Sequence, residues 1–429
     1  MAQTRPRRER EHPISGEASP AVSPRGLANT AVDDGSDVGA SSTTRLGTYL
    51  RRLREGYGYT LRKVEERAMA MGEAIDNSQL SRFEKGKAVP SFEKLRALAR
   101  VFNVPVQNFS DVLDLEEYQH LKPRSAEYGE LLKTGAEWLA RGEHGRAFVT
   151  YERALEVVRE RGDAASSEEL EELTAEARSR MATALKALGK LYMTERELRE
   201  ILKNRNRLHD STRRRTLLQL SYLYRELGDL YLASVLAKEC LELARREGDP
   251  LAEAGVLNTL GNIEHDEGQP EVALDHYRAA LAILRELGGH KEMEATVFTN
   301  LGGCLVTLSR FEDGIRMLRE AHSHARSSGF RRVAALSLTR LAEAFKQLGD
   351  YEQARETLGE SDSLSSRAED CYHDILFLNA FHRWVMARDE GHDTREKIAF
   401  GRLRHLRSML QRRFAEVEEF DRHVERTRR

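Results

Sequence analysis

"RELGDLYLASVLAKECLELARREGD", residues 225–249, turns at Gly228, places a small residue five positions on at Ala233, and continues with apolar residues at helical spacing. The pattern returns in "DEGQPEVALDHYRAALAILRELGG" (266–289), "LSRFEDGIRMLREAHSHARSSGF" (308–330) and "QLGDYEQARETL" (347–358). Matching small positions in the preceding helices are Ser221, Gly261, Gly302 and Ala342, spaced by 40, 41 and 40 residues. A period in this range marks stacked helical hairpins, none of which can bury its apolar face without neighbours. An earlier copy, "LLKTGAEWLARGEHGRAFVTYERALEVV" (131–158), carries Gly135, Trp138, Ala147, Tyr151 and Ala154 in the same roles. The copies at about 168–208 and 369–410 are degenerate.

The whole chain sets outer bounds. Its 429 residues exceed one compact core and predict two or three domains, unless the chain is an elongated repeat array. A net charge of -2 averages over domains and can hide a local basic patch, so charge is read by segment. Three widely spaced cysteines, Cys240, Cys304 and Cys371, argue against a disulfide framework and for a reducing compartment, where each acts as a small buried apolar residue. No apolar run approaches the roughly 20 residues of a membrane span, and "MAQTRPRRERE" is followed by no signal-peptide core. A cytoplasmic protein without membrane partners is expected. Residues 1–43, rich in Ser, Gly, Pro, Ala and Asp, lack apolar periodicity and read as a disordered tail.

From residue 44 to 113 the texture is one of short helices. "LGTYLRRLRE" sets Leu46, Tyr49, Leu50 and Leu53 on one face, and Thr60 caps a second helix with Leu61, Val64 and Ala68 inward. Asp76 is a good N-cap, and Gly86 a good stop, for the helix in "NSQLSRFEKG" (77–86). Ser91 caps a fourth helix with Phe92, Leu95, Leu98, Ala99 and Phe102 as core, and "PVQNFSDVL" closes the unit with a fifth. The intervening "AMAMGEA" either extends the second helix or forms a wing. This segment holds thirteen Lys or Arg against eight Asp or Glu, a surplus of +5 in a chain that is acidic overall.

The order "LRRLRE", "TLRKV", "SQLSRFEKG", "PSFEKLRALARVFNV" resembles a lambda-repressor-like helix-turn-helix domain. The resemblance implies that 77–84 is a recognition helix lying in the major groove of double-stranded DNA. Asn77, Ser78, Ser81 and Arg82 then stand where the family reads bases, as Asn can pair bidentately with adenine and Arg with guanine. Thr60, Lys85, Lys87, Arg51, Arg52 and Arg54 stand as phosphate contacts.

After a linker at 114–125, residues 126–410 resemble tetratricopeptide repeats, about seven hairpins in a right-handed superhelix, with 411–429 as a terminal helix or tail. Such repeats bind peptides or protein segments on their concave face. Carried over in register, that face holds Tyr222, Arg225, Asn258, Asn262, His265, Thr299, Glu343 and Lys346. Asparagines on such a wall can pair with an extended peptide backbone. His322 and His324, two apart on a helix, face different ways and make a poor metal site. "KNRNRLHDSTRRR" (203–215) is a basic interhelical turn, and Trp384 with Phe381 reads as core.

No P-loop, zinc-ligand spacing or nucleophile motif occurs, and neither enzymatic activity nor a cofactor is expected. The expected protein is all-α: a transcriptional regulator whose head reads an operator, and whose body pairs two protomers and binds a peptide or protein effector. The join of these modules is similar to that in peptide-pheromone-sensing regulators. The competing reading is an interaction scaffold on which the head is a tether.

Overall fold

The computed structural model describes residues 44–160, 167–367, 370–410 and 414–428. The expected tail at 1–43 lies outside them. Five short helices form the head: α1 (Arg45–Gly56), α2 (Leu61–Ala70), α3 (Asn77–Glu84), α4 (Phe92–Val101) and α5 (Gln107–Glu116). Side-chain caps fix four of the starts, with Thr44, Thr60, Asp76 and Ser91 accepting from the backbone N–H three residues on. Gly58, Gly72 and Gly86 follow α1, α2 and α3 at positive φ, where glycine avoids the Cβ penalty. "AMAMGEA" thus divides: Ala68, Met69 and Ala70 complete α2, and Met71 onward turns away at Gly72.

One close approach decides how the head packs. A Cβ on Gly47 of α1 would fall 2.6 Å from the Glu84 carbonyl oxygen and 2.7 Å from that of Phe83, so backbone meets backbone where α1 crosses the end of α3. Leu50, Val64, Ile75, Leu80, Leu98 and Phe102 fill the core beneath.

The body is a stack of hairpins. They pair α6 (Tyr128–Ala140) with α7 (His144–Glu160), α8 (Ser167–Ala187) with α9 (Leu191–Lys203), and α10 (Asp210–Leu227) with α11 (Leu230–Glu247). Next come α12 (Pro250–Asp266) with α13 (Pro270–Leu287), α14 (Lys291–Thr307) with α15 (Phe311–Ser327), and α16 (Arg331–Gln347) with α17 (Tyr351–Ser365). The last pair, α18 (His373–Asp389) and α19 (Asp393–Met409), is closed by α20 (Ala415–Arg428), and a two-residue antiparallel bridge, Ser366–Arg367 with Asp370–Cys371, leads into α18.

The repeat pattern has a direct physical cause. A Cβ on Gly135 would overlap the Tyr151 ring at 2.4 Å, on Gly261 the Tyr277 ring at 2.6 Å, and on Gly302 the Leu318 side chain at 2.7 Å. In each hairpin a small residue of the first helix makes the notch that a large residue of the second fills. First helices also pack closely on first helices of adjacent hairpins, so α10, α12, α14, α16 and α18 form the inner wall. The degenerate last copy is an aromatic plug, in which Trp384 and Phe377 of α18 meet Phe420 of α20 and Phe381 packs on Trp384.

Residues 114–125 are packed rather than loose. A turn of 3-10 helix (Gln119–Leu121) follows α5, Tyr118 fills the notch over Gly145, and Lys122 pairs with Glu152 and Glu156 of α7. Head and first hairpins share one apolar core that runs from Leu46 and Phe109 to Val149, Leu185 and Met193.

Candidate nucleic-acid interface and repeat groove

α3 sits on the head with one side buried and the other open. Leu80 and Phe83 anchor it, the Asp76 carboxylate accepts from Gln79 N at 2.7 Å, and Asn77, Ser78 and Arg82 are exposed on the outer side. Ser81 is half-buried beside them. Lys85 and Lys87 are exposed just past the helix, and Thr60 sits exposed at the start of α2. Arg62 and Lys63, also exposed in that first turn, add positive charge not singled out from the sequence; proximity to Thr60 was the available signal.

The three α1 arginines part company. Arg54 is a correction to the expected phosphate set: its guanidinium clamps the Glu84 carboxylate (Nε–Oε1 2.7 Å, Nη2–Oε2 2.9 Å) and the Tyr59 carbonyl. Glu84 is 3% exposed, and a carboxylate so buried needs its counter-charge held in place. The hydrogen bond to Glu84, ahead of the opposing effect of burial, raises the Arg54 pKa. Arg51 remains exposed, 3.7 Å from the same carboxylate. Arg52 is exposed and lies near Arg159 of α7, on the body side of the head.

The head is bolted to the body by charge. Arg45 donates to both oxygens of Glu152 at 2.5 and 2.9 Å and stands over the Phe148 ring. Lys190 reaches from the turn before α9 to Asp111 at 3.1 Å and to Asp114. Burial alone would raise the Glu152 pKa, but Arg45 and Lys122 outweigh it and hold it below the usual carboxylate range.

On the inner wall the expected groove residues form a tied polar ladder. Asn258 accepts from Asn300 at 2.9 Å, Asn262 accepts from the Tyr277 hydroxyl at 2.9 Å, and Tyr222 accepts from Thr259 at 3.0 Å. Arg225 pairs with Asp266 at 2.7 Å, and His265 Nε2 meets Thr307 at 3.0 Å. Glu343 pairs with Arg340 at 3.0 Å; that partner overcomes burial and brings the carboxyl down to about 2. Lys346 lies 3.3 Å from His382 Nδ1, and burial takes that imidazole down to about 3. Glu416 of α20 faces Arg340 and Glu343 from the far end, its pKa raised first by burial.

Thr299 is the second correction. It is 2% exposed, and its hydroxyl is turned to the Ala295 carbonyl and Ser337 Oγ between adjacent helices. A short β-branched side chain that can bond its own helix carbonyl stays against the helix instead of reaching the groove. Asn300, the next residue, faces Asn258. Asp266, Arg340, His382 and Glu416 were not read from the sequence; the first three lie on the inner helices that carry the named residues, but Glu416 arrives from a distant helix.

Among the described residues no group of three or more His, Cys, Asp or Glu is placed to hold a metal ion, and no helix is long and apolar enough to cross a membrane. His322 Nδ1 lies 3.2 Å from the Ala334 carbonyl, and His324 packs edge-on against Phe298. The basic turn at 203–215 is matched by acids, with Arg215 on Glu176 and Arg214 on Glu247 and Asp249. Cys240 and Cys304 are buried thiols, pushed by burial up to about 12 and about 11.

Residues 50–109 match a helix-turn-helix family model. Tetratricopeptide-repeat models match residues 215–247, 252–327 and 293–361. No curated protein matches the chain in sequence. Among solved structures it is similar to a Rap protein complexed with competence and sporulation factor (16% identity, 66% of this chain and 77% of that one, TM-score 0.53). It is similar also to the apo form of RapI (12% identity, 66% and 97%, TM-score 0.53). A third is the Rap conjugation gene regulator of plasmid pLS20 with the Phr* peptide (13% identity, 85% and 97%, TM-score 0.50). At these identities the likeness is one of fold alone; the helix-turn-helix head and the tetratricopeptide-repeat body are given by the family models.

Proposed function

We propose that this chain is a sequence-specific DNA-binding transcriptional regulator whose repeat groove takes a peptide or protein effector. The observation that carries the reading is the outer side of α3, where Asn77, Ser78 and Arg82 are exposed while the head is locked to the body elsewhere. In this reading α3 enters the major groove, Asn77 and Arg82 read base edges with Ser78 and Ser81 beside them, and Thr60, Arg51, Lys85 and Lys87 hold phosphates. A head fixed by charge pairs and a shared core argues against the tether of a scaffold, which needs freedom.

The groove suits an extended peptide. Among the described residues Asn258 and Asn262 use only their carbonyl oxygens on the protein, so their amide N–H groups can donate to a peptide backbone. Solved relatives of this fold include one complexed with competence and sporulation factor and one with the Phr* peptide. An effector acts here by preferring one curvature of the solenoid, and the bolted head transmits that curvature as a change of orientation. Two protomers would address an inverted repeat whose half-sites lie about 34 Å or a multiple apart.

Selection of duplexes from a random pool by the full-length protein tests the reading. Enrichment of one inverted-repeat sequence supports it, and an unenriched pool with equal affinity for every duplex favours the scaffold.

A further inference from the structure

Between α3 and α4 the chain turns its side chains alternately in and out. Pro90 is buried and Ala88 packs against the head core, while Lys87, Val89 and Ser91 face solvent. A residue before proline is held extended, and an extended chain sends successive side chains to opposite sides. Ser91 then caps α4, accepting from Lys94 N at 3.4 Å, which sets Phe92 at the first position of the helix. Helical spacing places Phe92 in the core, but it is 68% exposed: this early in α4 the helix has not reached the core that Leu95 and Leu98 fill. Val89 is 74% exposed, and the two are the most exposed large apolar side chains of the head. The body, which covers other parts of the head, leaves them open. Lys87 and Glu93 flank them, both exposed, and among the described residues neither forms an ion pair.

The segment is complementary to itself. Turned end for end about a two-fold axis between Pro90 and Ser91, it sets Val89 of one copy against Phe92 of the other and Lys87 against Glu93, twice over. We propose that residues 87–93 pair with the same segment of a second copy of this chain when two heads occupy neighbouring half-sites on one duplex. The pairing rests on the DNA-binding reading given above. Because the segment follows α3 directly, a head that lays α3 in the major groove holds it close to the duplex. An ammonium has three donors, so Lys87 can hold a phosphate and meet Glu93 at once. Two apolar side chains per head fall far short of the roughly 800 Å² per partner of a stable interface. The contact therefore does not hold free heads together; it acts once DNA has aligned them, as cooperativity between half-sites.

The test uses full-length wild type, a Val89→Ser, Phe92→Ser double variant and Glu93→Lys, which sets like charges against Lys87. All three side chains are exposed, and equal unfolding midpoints check that the fold is kept. Each protein is titrated on the inverted repeat selected from the random pool and on the same duplex with one half scrambled. Wild type is expected to fill the second half-site about tenfold or more tightly than an isolated one. Both variants lose that gain, and neither binds the half-site duplex more weakly than wild type. A double variant that keeps the gain overturns the proposal. So does one that loses the same factor on the half-site duplex, because the patch then lies against DNA and not against a second head. Either result leaves the DNA-binding reading standing, whereas wild type with equal affinity for every duplex removes that reading and this contact with it.

Discussion

Arg54 and Arg82 have the same side chain and different uses, set by what lies opposite them. Arg82 points from the open side of α3, whereas Arg54 is held by Glu84, thirty positions along the chain. The start and end of α3 were legible because Asp76 and Gly86 act within a few residues of where they stand. The Arg54–Glu84 pair was not, because no local pattern announces which carboxylate will be buried. Two predictions follow from the contrast. Arg82→Ala costs about 1–3 kcal/mol in operator binding and relaxes preference at one base pair, read by titration against single-base operator variants. Arg54→Ala leaves the buried Glu84 with only the exposed Arg51, 3.7 Å away, and destabilises the head by about 3 kcal/mol, read by denaturant unfolding.

At the scale of helices, the notch-and-filler pairs explain why the repeats could be found at all. Gly261 and Tyr277 lie sixteen residues apart, within one hairpin, and recur because every hairpin must close the same way. Gly261→Val drives a side chain into the Tyr277 ring and is expected to cost about 1–3 kcal/mol, measured as a lowered unfolding midpoint. Of the residues read as groove-facing, Asn258, Asn262 and His265 are tied to Asn300, Tyr277 and Thr307 and their part in a groove belongs to the proposed function, while Thr299 is buried. Period alone names the position, but whether a side chain turns to the groove depends on its length and on the neighbouring helix, here through Ser337. Glu416 was illegible for a different reason, since α20 brings it to Arg340 and Glu343 from outside the repeat pattern.

For the whole molecule, in the function proposed above, docking of the head decides how a signal in the groove would reach DNA. The Arg45–Glu152 pair is part of that joint, and its removal in Glu152→Gln costs about 1.5–3 kcal/mol. The Glu152 pKa is lower in the folded chain than its ordinary 4.5, so the pair contributes fully above that value and is lost as pH falls through the folded pKa. The difference in unfolding midpoint between wild type and Glu152→Gln should therefore be constant near neutrality and shrink on acidification below 4.5. Everything functional in this account depends on α3 reading base edges. Its most direct test is an equilibrium titration of the full-length protein and an Asn77→Ala, Arg82→Ala double variant on the selected operator and on a scrambled duplex at one fixed salt concentration. The account predicts that wild type prefers the operator by at least about a thousandfold and that the double variant binds both duplexes alike, near the wild-type affinity for the scrambled one. A double variant that keeps the full preference would contradict it.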